Sequence, residues 1–97
     1  MRILETFEKD SFSGIITWYE PNGSVKDLTG ATVVAFALGP TGTVSLQSFV
    51  LDGEAGDTHV SWPASTLSAG IHDLQVRATK DGDTKTYHAK IDVEASL

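Results

Sequence analysis

The sequence predicts an all-β fold, a sandwich of two antiparallel sheets with about seven strands. Apolar residues recur at every second position along most of the chain, which is the period of a strand and not of a helix. Clusters of Gly, Pro, Asn and Asp interrupt this pattern at roughly the 8–12-residue spacing typical of sandwiches and barrels. A length of 97 residues supports one core and not two, so residues 1–97 are expected to form a single domain.

The first two strands are predicted before residue 21. Residues 3–8 form the first, and residues 12–20 form the second, in which Phe12, Ile16 and Trp18 share one face. Asn22 and Gly23 then signal a tight turn, because both residues tolerate the backbone angles that such a turn needs.

The third strand follows Gly30 and offers two different faces. One face carries the large residues Val34, Phe36 and Leu38, and the other carries small alanines. We expect the large residues to point inward, since burial of apolar area drives folding.

The fourth strand, residues 43–51, has a less regular pattern. Val44 and Leu46 share one face, whereas Phe49 and Leu51 fall on the other. A shift of the apolar face near Ser48 would mark a β-bulge there.

Three further strands complete the prediction. They cover residues 58–62, residues 71–80 and a final strand after the hairpin turn Asp81-Gly82-Asp83. The final strand alternates apolar and polar residues most cleanly. The large core residues are expected to be Trp18, Phe36, Trp62 and Tyr87.

Charge and composition exclude several classes of partner. The formal net charge is −6, from 13 acidic and 7 basic residues, with no basic patch, so we expect neither nucleic acid nor an anionic membrane as a partner. The first ten residues are interrupted by charges and do not resemble a signal peptide. Without cysteine the chain has no disulfide and no thiol nucleophile.

The sequence contains no convincing catalytic site. The three histidines, His59, His72 and His88, are not spaced as metal ligands, and no Gly-x-Ser-x-Gly motif is present. His72 shares the inward phase of its strand and is expected to be buried with a ring nitrogen bonded to the backbone, whereas His88 is expected on the surface. We therefore expect no enzymatic activity and no cofactor.

The loop from Asp52 to Asp57 has two interpretations. Three carboxylates and two glycines are compatible with calcium, which prefers six to eight oxygen ligands. The spacing differs from that of an EF-hand, and a solvated connection between strands is the interpretation that we favour.

Four apolar residues lie out of phase with the predicted core, namely Ile15, Tyr19, Phe49 and Leu51. A bulge, an edge strand or a covering loop would account for them locally. Alternatively they form a protein–protein interface, for which aromatic residues are favourable anchors.

The order of turn and strand motifs resembles one known family, and the resemblance spans nearly the whole chain. These motifs are Thr17-Trp18-Tyr19-Glu20, Pro21-Asn22-Gly23, Asp27-Leu28-Thr29-Gly30, Val60-Ser61-Trp62, Leu67-Ser68-Ala69-Gly70 and Ala78-Thr79-Lys80-Asp81-Gly82. They look like the immunoglobulin-like domain of phage baseplate upper proteins and of related head-fibre and tail-fibre attachment proteins. That family commonly has an aromatic residue after the Ala-Gly turn, where this chain has Ile71 and His72.

The resemblance implies an immunoglobulin-like sandwich that acts as a non-enzymatic structural protein of the virion, assembled in the host cytoplasm. Its partners would be other virion proteins, and it would form a homo-oligomer, with residues 1–10 as a docking arm. The alternative is a β-sandwich module that binds carbohydrate or another ligand, in which Trp18 and Trp62 would be the candidates for stacking on sugars although both lie in the inward phase.

Overall fold

The computed structural model describes residues 2–95 and contains seven strands, with no helix among the described residues. The strands are β1 (Arg2–Phe7), β2 (Phe12–Thr17), β3 (Thr32–Gly39), β4 (Gly42–Asp52), β5 (Asp57–Trp62), β6 (Gly70–Lys80) and β7 (Asp83–Glu94). The predicted all-β fold with about seven strands is therefore confirmed.

The strands pair in the order β1-β7-β6-β3-β4-β5-β2, and β4 belongs to both layers of the fold. Its first half pairs with β3 as far as Leu46, opposite Ala35. Its second half pairs with β5 from Gln47, opposite Ser61. The sheet thus folds over at β4 into a five-stranded layer (β1, β7, β6, β3, β4) and a three-stranded layer (β4, β5, β2), nearly closing into a barrel.

Five of the six strand pairings among the described residues are antiparallel, as predicted, but β1 runs parallel to β7. Chain direction explains the difference. The turn after β1 carries the chain from the five-stranded layer to β2 in the other layer, so β1 does not form a hairpin with its neighbour in sequence.

The predicted inward face of β3 is wrong. Ala35 and Ala37 are buried, whereas Val34 and Leu38 are exposed and Phe36 lies on the outer face beneath the guanidinium of Arg77, 5.0 Å from the ring centroid. The inner side of β3 meets a core that contains Trp18, Trp62 and other large side chains, so small residues fit there without overpacking.

The other predicted core aromatics do contribute to the core. Trp18 and Trp62 are buried, and Tyr87 is partly buried against them. The indole of Trp18 meets Tyr87 edge to face at 6.5 Å, and Phe12 stacks on Trp62 at 4.3 Å. The first contact joins the segment just after β2 to β7 of the other layer, and the second joins β2 to β5 within the three-stranded layer.

The predicted bulge near Ser48 is also wrong in its position. Residues 44–50 of β4 alternate without interruption, with Val44, Leu46, Ser48 and Val50 on the more buried side. The register shift lies later, between Val50 and Asp52. Phe49 and Leu51 consequently face outward because of ordinary alternation.

Candidate interaction surface

The outer face of the three-stranded layer carries a row of apolar and aromatic side chains. Ile15 of β2 lies directly opposite His59 of β5, and His59 lies directly opposite Phe49 of β4. The rings of Phe49 and His59 stack with centroids 4.9 Å apart and planes 24° apart. Strand register therefore brings Ile15, His59 and Phe49, distant in sequence, into one row, called here the apolar row.

The apolar row is accessible at both ends. Ile15 is 58% exposed and Phe49 is 50% exposed, and His59 between them is half-buried. Leu51 lies two residues along β4 on the same face, at 47% exposure, beside the register shift. Ile15 lies on an edge strand, which is one of the local explanations that the sequence offers for its outward side chain. An edge position is also compatible with an interface there.

Tyr19 lies apart from the other three predicted interface residues. It follows β2, forms an isolated bridge with Val25 and is 62% exposed at one end of the sandwich. There it borders a shallow hollow with Pro21, Lys26 and Lys85. The sequence alone cannot distinguish Tyr19 from Ile15, because both occupy odd-numbered positions of the predicted second strand and so share one face.

Few charges lie on this outer face. The outward positions of the layer are Ser13, Ile15, Thr17, Gln47, Phe49, Leu51, Asp57, His59 and Ser61. The one carboxylate, Asp57, accepts a hydrogen bond from the Thr17 hydroxyl at 2.6 Å. The face therefore has the charge-poor, aromatic composition that distinguishes the centre of a protein interface.

The outer face of the five-stranded layer has apolar residues too, but charged side chains lie among them. Arg77 lies over Phe36, and Lys90 forms an ion pair with Asp73 on the neighbouring strand. Ile71, at 53% exposure, lies opposite Asp92. This face is that of an ordinary solvated sheet.

The predicted roles of two histidines are confirmed. His72 is buried, and its Nε2 lies 2.7 Å from the backbone oxygen of Ser68. His88 lies exposed on β7. His59, which the sequence offered only as a candidate for chemistry, instead forms the centre of the apolar row.

Two of the three carboxylates of the loop from Asp52 to Asp57 have separate hydrogen-bond partners. Asp52 accepts from the backbone N–H of Ala55, and Asp57 accepts from Thr17. Among residues 2–95 no three acidic or histidine side chains are grouped so as to hold a metal ion. The same described part of the chain has no helix long and apolar enough to cross a membrane.

The two tryptophans do not offer a stacking platform for sugars in this conformation. Trp62 is 3% exposed and Trp18 is 8% exposed. The Trp18 indole N–H donates to the Thr58 hydroxyl at 3.0 Å inside the core. Their predicted inward phase is confirmed.

No protein-family model matches the sequence, and no curated protein matches it either. Among solved structures, the chain is similar to part of an endo-fucoidan hydrolase variant of glycoside hydrolase family 107, with a TM-score of 0.61 and 20% identity. The match covers 100% of this chain and 13% of that one. At this identity the likeness shows a shared all-β fold and nothing about activity.

Proposed function

We propose that this chain is a non-enzymatic structural module that attaches to another protein through the outer face of its three-stranded layer. The observation that carries this proposal is the apolar row, in which Ile15, His59 and Phe49 are in register across three strands. Such a row is a continuous surface, unlike single apolar residues scattered over a protein.

The shape and composition of this face favour a protein as the partner. Small-molecule sites are concave and bury most of their ligand, whereas this row crosses the outside of a sheet. Aromatic anchors surrounded by neutral polar residues are typical of interface centres. The neutral polar residues on this face are Ser13, Gln47 and Ser61.

The proposed setting is a phage particle, with another virion protein as the partner. This setting comes from the resemblance of the turn and strand motifs to immunoglobulin-like attachment domains. The acidic chain would contribute to choosing the partner through charge, while the apolar row would supply most of the affinity.

Site-specific photo-crosslinking tests the proposal. A photoreactive amino acid replaces Phe49 in the chain as it is produced in its native particle, and a second variant carries it at Ile71, which is equally exposed on the opposite outer face. We expect position 49 to give one discrete adduct with a virion protein and position 71 to give none.

Two outcomes would overturn the proposal. One is equal labelling from both positions, which would indicate random collision. The other is retention of the chain by a polysaccharide that Phe49→Ser abolishes, which would indicate a carbohydrate-binding module.

A further inference from the structure

β2 is an edge strand without the features that usually protect such edges. It pairs with β5 on one side, and no strand among residues 2–95 pairs with its other side. Its six residues, Phe-Ser-Gly-Ile-Ile-Thr, include no charge and no proline, and its register with β5 shows no bulge. Exposed strand edges of this kind readily pair with another strand.

Hydrogen bonds show which backbone groups of β2 point away from the molecule. The Thr58 hydroxyl donates to the backbone oxygen of Ile16, and the Trp18 N–H donates to the backbone oxygen of Gly56. Even-numbered residues therefore direct their backbone groups toward β5. Because direction alternates along a strand, Ser13, Ile15 and Thr17 direct theirs outward.

We propose that two copies of this chain pair through β2, antiparallel, about a twofold axis at Ile15. Ile15 then lies opposite its own copy, and Ser13 of each copy lies opposite Thr17 of the other. Each of these pairs has outward-directed backbone groups on both strands and exchanges two N–H···O bonds. The result is one sheet of six strands running through both copies.

The side chains fit this self-pairing. A β-branched pair at the axis and a Ser–Thr pair on each side are both favourable cross-strand combinations. The Thr17 hydroxyl already donates its proton to Asp57, which leaves its oxygen to accept a hydrogen bond from Ser13 of the other copy.

The neutral sequence of β2 allows a second copy at this edge in spite of the acidic chain. Each chain carries a net charge of −6, yet the six residues of β2 are neutral, so two copies meet there without like charges in the seam. Pairing also joins the two apolar rows end to end at Ile15, because Ile15 is the edge member of each row. The joined row doubles the contiguous apolar surface.

This inference goes beyond the proposed function and does not need the unidentified partner. Attachment would use side chains of the face, whereas dimerisation uses the backbone of the edge. The two can therefore fail separately.

Analytical ultracentrifugation of the purified chain over a wide concentration range tests the dimer. We expect the mass to rise toward twice the 10.3 kDa of one chain as concentration increases. Ser13→Pro should keep the mass at that of one chain, because proline removes an outward N–H and leaves the bonds of β2 to β5 intact. Ser13→Ala, which keeps the N–H and loses only the hydroxyl bond to Thr17 of the other copy, should still dimerise, with the midpoint at a higher concentration.

Amide hydrogen exchange on the unmodified chain gives a second test that does not depend on the folding of a variant. The amides of Ile15 and Thr17 should become protected as concentration rises, while that of Ile16 should be protected at every concentration. A monomer at all concentrations would overturn the inference. So would a dimer that Phe49→Ser dissociates and Ser13→Pro does not, since that dimer would form through the face.

Discussion

Phe49 stacks on His59 with ring centroids 4.9 Å apart, on the outside of the fold and not in its core. The contact stacks two rings from adjacent strands into one aromatic surface, and Ile15 extends it across the third strand. An anchor that is already ordered loses less side-chain entropy when a partner covers it. This contact is therefore the centre of the proposed attachment surface.

The double change Ile15→Ser and Tyr19→Ser should leave the fold intact, and the loss of Ile15 from the apolar row should weaken attachment to the proposed partner. Both side chains are more than half exposed, so their removal costs little buried area. We expect the free energy of unfolding to fall by about 1 kcal/mol at most, the scale of cross-strand pair terms. Urea unfolding measures this change in the free energy of unfolding. A loss of clearly more than about 1 kcal/mol would indicate that the two side chains belong to the core.

Thr58→Val should destabilise the domain although the shape of the side chain hardly changes. The Thr58 hydroxyl accepts from the Trp18 indole N–H and donates to the backbone oxygen of Ile16. Valine leaves the buried indole N–H without this acceptor, at a cost of about 1–3 kcal/mol. In urea unfolding at low concentration, Thr17→Val serves as the control, because that hydroxyl is exposed. Equal losses in the two variants would contradict the account.

Gly39→Ala should be strongly destabilising. A Cβ at Gly39 would lie 2.0 Å from Nδ1 of His72, whose ring is held by the contact of Nε2 with Ser68. Overpacking of this kind typically costs about 1–3 kcal/mol.

Gly14→Ala provides the matched comparison for that substitution. A Cβ at Gly14 would meet the Phe12 ring at 3.1 Å, so a displacement of a few tenths of an ångström relieves the contact, whereas the contact at Gly39 is far shorter. Thermal unfolding should show little change or a small gain from the lower entropy of the unfolded chain. A Gly14 variant as unstable as the Gly39 variant would show that steric contact with His72 is not the cause.

Asp27 should make stability depend on pH in the acid range. Hydrogen bonds from the Thr29 side chain and backbone N–H, with a smaller contribution from Lys80, lower the pKa of Asp27 below its ordinary value of 3.8. A lowered carboxyl pKa gives stability that is present above 3.8 and is lost as pH falls through the lower folded value.

Asp27→Asn isolates this contribution. The difference in urea midpoint between Asp27 and the variant should be constant near neutral pH and shrink in the acid range. Salt should reduce only the part due to Lys80. A difference that does not change with pH would contradict the assignment.

The sequence predicts the number and type of strands because period two and turn residues are local properties. The hairpin at Asp81 and Gly82 illustrates this, since both residues adopt the positive φ that the turn requires. The inward face of β3 could not be predicted in this way. Period two shows that Phe36 and Ala37 face opposite sides, but the volume filled by distant tryptophans decides which of them is buried.

The candidate surface was predictable only in part. The alternation of side chains along the second and fourth strands predicts that Ile15 and Phe49 face outward. In the structure both side chains are at least half exposed. His59 was missed because its place between them depends on the pairing of β5 with both β2 and β4. Register across three strands is a property of the folded sheet, so no spacing along the chain reveals it.

Incorporation of charged variants into the proposed phage particle tests the attachment surface most directly. Phe49→Lys places a charge in the apolar row, and Ile71→Lys places the same charge at an equally exposed position on the opposite outer face. Both chains are quantified in purified particles relative to a fixed virion protein. The account predicts that Phe49→Lys is lost from the particles while Ile71→Lys is retained. Equal incorporation of the two variants would contradict it.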